Sequence, residues 1–216
     1  MKTIMCYGDS NTFGTNPHGG RWPREVRWTG KLQQLLGDQY YVIEEGCGGR
    51  TTVWDDDLEL FKNGRKSLPV ALATHKPIDL VIIMLGTNDC KTRFQALPCD
   101  IAEGVRQLAE LVQTYPYGEW YEIPEVLIVS PIHIGDNIEN SVFTGFDMIA
   151  SKKSRQFSAE MLKVAKAQKC YFLDASEYAE PSTYDSLHME SNSHEALAIA
   201  VYEKVISIID KECTKG

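Results

Sequence analysis

Apolar residues follow two alternating rhythms along the chain. Short apolar runs have strand length: Thr3-Ile4-Met5-Cys6-Tyr7, Tyr40-Tyr41-Val42-Ile43-Glu44 and Leu80-Val81-Ile82-Ile83-Met84-Leu85, a run near 126–130 ended by Pro131, and one near 170–173. Between them the apolar positions recur at helical spacing. Trp28, Leu32, Leu35 and Leu36 stand at i, i+4, i+7 and i+8 in a helix expected over 28–37, which stops at Gly37. Ile101, Val105, Leu108, Leu111 and Val112 form one stripe near 100–114, and Leu197, Ala200, Val201, Val205 and Ile208 form another near 192–210. A shorter helix is expected near 65–74, before His75-Lys76-Pro77, and one long helix near 150–168.

Strands alternating with helices of this length imply parallel pairing through right-handed crossovers, with helices on both faces of the sheet. The 80–85 run is apolar at every other position and between, as a central strand covered on both sides should be. The expected fold is α/β: a three-layer α/β/α sandwich of about five parallel strands in flavodoxin-like order. No repeat, low-complexity tract or linker divides residues 1–216, so one domain is expected. Segments 11–27, 50–64 and 131–149 are too long to be simple connectors. They carry Trp22, Trp54, His133 and Phe143, and are expected to be ordered walls of a substrate pocket or subunit contacts.

Composition narrows the partners. The 216 residues are 43% apolar, enough for a substantial core. A net charge of −8 argues against nucleic acid or an anionic membrane surface, both of which need a basic face. Arg21, Arg24 and Arg27 form the one local basic cluster. No apolar run reaches the ~18 residues of a membrane span. The apolar stretch at the start is too short for a signal segment, so cytoplasmic residence is expected. Six cysteines without a C-x-x-C pair read as buried or incidental thiols.

The candidate chemistry follows from topology. In an open parallel sheet the strand carboxyl ends share one edge, where crevices form. Ser10 lies just past the first strand, Gly49 past the second, Asn88 past the third, and Asp185 and His188 in the loop before the last helix. A serine hydroxyl needs a base to take its proton. His188 could serve, oriented by Asp185 three residues earlier. The Asn88 amide, a backbone N–H in the Gly46-Cys47-Gly48-Gly49 run, and the N–H of Ser10 could hold an oxyanion. Each group alone has a plainer reading. Gly8-Asp9-Ser10 could simply build a turn and cap a helix, Asn88 could be an Asx-turn, and Asp9 and Asp89 are expected to brace their turns. His18, His75 and His194 have ordinary turn or helix positions, whereas His133 could face the crevice. Together the set suggests acyl transfer by serine.

The blocks G-D-S-N-T, G-C-G-G-R-T-T, G-T-N-D and D-x-x-H, in this order, resemble the SGNH/GDSL hydrolase superfamily, whose four marker residues match Ser10, Gly49, Asn88 and His188. Glu25-Val26-Arg27-Trp28-Thr29-Gly30 and the run from Leu80 to Asp89 look like its bacterial arylesterase/acyltransferase branch. The resemblance implies that Ser10 attacks an ester carbonyl, that His188 is general base and then acid, and that Asp185 orients it. Ser10, Gly49 and Asn88 would hold the oxyanion. Water or an alcohol would take the acyl group, with no metal or cofactor, in a homo-oligomer built on segments 11–27 and 131–149. A carbohydrate acetyl esterase on the same machinery is the nearest competitor. More distant are a sugar-binding module using Trp22, Trp54 and Tyr184, and a two-metal phosphoesterase using His133 and His188.

Overall fold

The computed structural model describes residues 1–143 and 145–213, the stretch from 210 onward by backbone alone. Its strands are β1 (Lys2–Gly8), β2 (Tyr40–Gly46), β3 (Leu80–Met84), β4 (Glu125–Ser130) and β5 (Tyr171–Asp174). They pair in parallel throughout, in the order β2-β1-β3-β4-β5. The helices are α1 (Ser10–Phe13), α2 (Trp28–Leu36), α3 (Gly64–His75), α4 (Pro98–Thr114), α5 (Met148–Ser154), α6 (Phe157–Ala167) and α7 (Ser191–Cys213).

Successive strand side chains point to opposite faces, so each strand feeds two cores. Met5, Tyr7, Val81 and Ile83 meet α3, α4 and α6 through Leu72, Val105, Leu108, Phe157 and Met161. Ile4, Cys6, Leu80 and Ile82 meet α2 and α7 through Trp28, Leu32, Leu197, Val201 and Val205. Both faces of β3 are thereby fully buried, which accounts for its unbroken apolar run. These are the three layers and the strand order expected. No helix among the described residues is long and apolar enough to cross a membrane.

The chain runs from β1 outward to β2, then returns past β1 to β3, so the winding direction reverses between β1 and β3. Crevices open at such a reversal. Gly8 stands in register with both Gly46 and Met84, so three strands end level and the segments that follow them start side by side. Gly8 also lets α1 fold back onto the strand end, since a Cβ there would lie 2.1 Å from Thr12 Oγ1.

One expected element differs. The single helix over 150–168 is two helices, α5 and α6, separated at Arg155-Gln156. The Ser154 hydroxyl donates to the Ser151 carbonyl and accepts from the Ile134 N–H, so side-chain bonding competes with the helical ladder at that turn. The re-aimed α6 then buries Phe157 completely. Two charges of the Arg21, Arg24, Arg27 cluster are paired with one carboxylate: Arg27 is buried 3.1 Å from Glu44, and Arg21 stands 3.8 Å from it.

Candidate active site

Ser10 opens α1 directly beyond β1. Asp9 caps that turn, its carboxylate accepting from the Asn11 N–H at 3.0 Å. Burial pushes the Asp9 carboxyl up to about 6. The second half of the site arrives from the segment between β5 and α7. His188 Nε2 lies 2.9 Å from Ser10 Oγ, and His188 Nδ1 lies 2.7 Å from Asp185 Oδ2. An ionised carboxylate only accepts, so Nδ1 carries the ring proton and Nε2 accepts from the serine hydroxyl. Burial raises the Asp185 carboxyl, but the His188 ring and the N–H groups of His188 and Leu187 bond to it, and together they hold it below its ordinary value. The turn that joins the two residues passes through Ser186 at φ +62°.

Asn11 fastens the two halves together. Its amide donates to the Leu187 carbonyl at 3.2 Å, and its Oδ1 accepts from the Met189 N–H at 3.1 Å, so it brackets His188 from both sides. The His188 carbonyl accepts from the Ser182 N–H at 2.7 Å. Phe143 stands edge-on to the His188 ring, centroids 4.8 Å apart.

The segments after β2 and β3 form the opposite wall. Residues 47–50 make a turn closed by the Arg50 N–H on the Cys47 carbonyl at 3.0 Å. Gly49 occupies its third position at φ +79°, as a type II turn requires. The Arg50 guanidinium lies 4.0 Å above the Tyr7 ring and donates to the Gly8 carbonyl, tying the turn to the end of β1. One amide proton of Asn88 goes to the Arg50 carbonyl at 3.1 Å, leaving the second for the cavity. Asp89 accepts from both the N–H and the hydroxyl of Thr52, and burial pushes its carboxyl up to about 7. Asp9 thus braces its own turn, as expected, whereas Asp89 ties the segment after β3 to Thr52 in the segment after β2.

These groups surround a cavity of about 320 Å³. Ser10, Gly48, Gly49, Asn88, Leu187 and His188 line it, and all three long segments reach it, through Thr15, Glu59 and the trio Val142, Phe143 and Phe146. One wall is charged: the buried Lys91 ammonium is 2.6 Å from Glu59. Of the four expected substrate contacts, Phe143 alone lies in this lining. Trp22 is turned away, donating its ring N–H to the Met189 carbonyl. Trp54 packs on the core and on Phe94. His133 lines a different cavity, 3.3 Å from the Arg155 guanidinium. That separation also corrects the pairing of His133 with His188 on which the two-metal reading stood. Tyr184 stands beside His18 and not in the lining, so the trio for sugar stacking is not assembled here.

Asn11, Glu59 and Lys91 were not anticipated. Asn11 sits inside the G-D-S-N block, and that adjacency was the available signal; Glu59 and Lys91 carried none. Chemically, a hydroxyl held on an imidazole that is held on a carboxylate can yield its proton as its oxygen attacks an electrophile.

Known proteins share this arrangement of elements. The model of the GDSL-like lipase/acylhydrolase family matches residues 6–196. The structure of the aryl esterase of M. smegmatis is 38% identical, with a TM-score of 0.90 over 96% of this chain and 99% of that one. A carbohydrate acetylesterase from Sinorhizobium meliloti is 36% identical, with a TM-score of 0.89 over 96% of this chain and 100% of that one. A lipoprotein of Bacillus subtilis, YqeF, is 26% identical over 97 residues, which span 45% of this chain and 36% of that protein.

Proposed function

The chain belongs to the GDSL-like lipase/acylhydrolase family of ester hydrolases, and from that premise we propose that it cleaves small aryl or alkyl esters of short acids through an acyl-enzyme on Ser10. The observation that carries this reading is the continuous line Asp185–His188–Ser10, with contacts of 2.7 and 2.9 Å.

Ser10 Oγ attacks the ester carbonyl carbon and its proton passes to His188 Nε2. Asp185 stabilises the imidazolium that forms. The carbonyl oxygen gathers negative charge and is received by the N–H groups of Ser10 and Gly49 and the free amide proton of Asn88. His188 then returns its proton to the departing alcohol, leaving the acyl group on Ser10. A water, or a second alcohol, gives its proton to the same nitrogen and attacks the acyl-enzyme; His188 then hands that proton to the departing Ser10 Oγ, releasing the acid or a new ester and restoring the hydroxyl. A cavity of about 320 Å³ is at the small end for ligand sites and favours a short acyl group over a lipid chain.

A sugar acetate is the second reading, favoured by the charged Glu59–Lys91 wall, which offers polar partners to sugar hydroxyls. Ser10→Ala should lower the turnover of p-nitrophenyl acetate by at least ~10³ while leaving the melting temperature in place. Retention of more than a few per cent of the activity would remove Ser10 from the role. A panel of aryl acetates, acetylated sugars and long-chain esters, run with and without a competing alcohol, separates the two substrates and measures the share of acyl transfer.

A further inference from the structure

We propose that Lys62 is a positioning residue for the oxyanion site, holding and polarising the Gly48–Gly49 peptide so that the Gly49 N–H faces the reacting carbonyl. This rests on the reading of that N–H as an oxyanion donor. The Lys62 ammonium donates to the Gly48 carbonyl oxygen at 2.7 Å. Gly48 C=O and Gly49 N–H belong to one planar peptide and point in opposite directions. A cation fixed on the oxygen therefore sets where the N–H points.

The turn type makes this control consequential. Type I and type II turns share the closing hydrogen bond and differ by a flip of their central peptide. Here the closing bond runs from the Arg50 N–H to the Cys47 carbonyl, and the central peptide is Gly48–Gly49. Two adjacent glycines offer little steric resistance to that flip. In the flipped state the N–H would point toward Lys62 and away from the cavity. The Lys62 contact opposes that state. A charge-assisted bond to the carbonyl also draws electron density from the N–H, making it a stronger donor.

Lys62 is itself anchored for the task. Its carbonyl accepts from the Thr51 N–H at 2.9 Å, so the segment after β2 is stapled to its own return. Its stem runs along the turn, since a Cβ on Gly49 would lie 3.1 Å from Lys62 Cε. Lys62 is absent from the cavity lining, so it acts through the peptide and not on the ester.

The test compares Lys62→Met, which keeps the stem and removes the charge, with Lys62→Arg and Asn88→Ala. Lys62→Met should lower kcat about tenfold, part of the ~10²–10³ that loss of a whole oxyanion donor costs. KM should stay within about twofold, and the melting temperature should not move. Affinity for phenylboronic acid, whose serine adduct places an oxygen in the oxyanion site, should fall in parallel with kcat/KM, and Lys62→Arg should recover most of both. Should Lys62→Met not fold, Lys62→Gln carries the same comparison. An unchanged kcat in Lys62→Met, alongside the expected loss in Asn88→Ala, would overturn the role of Lys62 and leave the oxyanion reading standing. A lowered melting temperature with kcat intact would overturn it too, as a merely structural role. Full turnover in Asn88→Ala and Ser10→Ala would instead sink the parent reading.

Discussion

Ser10 and His188 are 178 positions apart in the chain and 2.9 Å apart in space, and Asn11 is the residue that converts one into the other. It is buried next to Ser10 and bonds to the backbone on each side of His188. Asn11→Ala would leave the Leu187 carbonyl and the Met189 N–H without these partners, at a cost of about 1–3 kcal/mol each in stability. A slackened imidazole should also lower kcat by ~10–100-fold with a smaller change in KM, since sub-ångström placement governs proton transfer. Steady-state kinetics on p-nitrophenyl acetate check this, and an unaltered kcat would deny Asn11 the positioning role. Such a residue is hard to read in sequence, because an asparagine after a serine in a turn looks like a turn former. Ser10, Asp185 and His188 were readable because their chemical types and order are constrained by what they would do. Trp22, Trp54 and His133 were misplaced for the reverse reason: an aromatic ring in a loop suits a pocket wall and a buried flank equally, and only packing decides.

Among the elements, α2 and α7 meet at a buried imidazole. His194, in the first turn of α7, accepts from the Trp28 N–H that begins α2, at 3.3 Å. Burial, and then the charges of His188 and Arg27, push its pKa down to about 3. An unfolded histidine titrates near ~6.5, so between these values the unfolded chain binds a proton that the fold refuses. The stabilisation is present above about pH 6.5 and drains away as pH falls toward 3. The carboxyls of Asp9 and Asp89, raised to about 6 and 7, act oppositely: they favour the fold at low pH and lose that contribution as pH rises through those values. A difference between variants isolates the histidine. His194→Asn keeps an acceptor for Trp28 and does not titrate. Urea unfolding at pH 7, 5.5 and 4 should show it losing less stability on acidification than the parent, by a few kcal/mol at most; parallel losses would contradict this account. Most elements were legible from periodicity alone, because β3 and the stripes of α4 and α7 each bury a complete face. The break between α5 and α6 was not, because Ser154 bonds to Ile134, a partner distant in sequence, and no local period records that contact.

At the scale of the molecule, the order β2-β1-β3-β4-β5 places the winding reversal where Ser10 and Asn88 emerge. The alternation of strands and helices carried enough information to anticipate this, since parallel crossovers of one hand leave few topologies. What it could not carry was the use of the long segments. All three converge on one cavity, where Glu59 of the 50–64 segment meets Lys91, and no sequence period records such a contact. The segment 131–149 also leaves Val142, Met148 and Ile149 exposed. The homo-oligomer expected from segments 11–27 and 131–149 would cover apolar surface of this kind. Light scattering at micromolar concentration should therefore return a multiple of the chain mass, and charged replacements at Val142 and Ile149 should lower it. A monomer at every concentration would contradict that expectation.

In the proposed reaction the serine hydroxyl is activated by the histidine it touches. A fluorophosphonate probe followed by peptide mass spectrometry tests this most directly. The prediction is a single adduct on the peptide bearing Ser10, formed at least ~10³-fold more slowly in His188→Ala. An adduct on another residue, or labelling of His188→Ala at the parent rate, would contradict it.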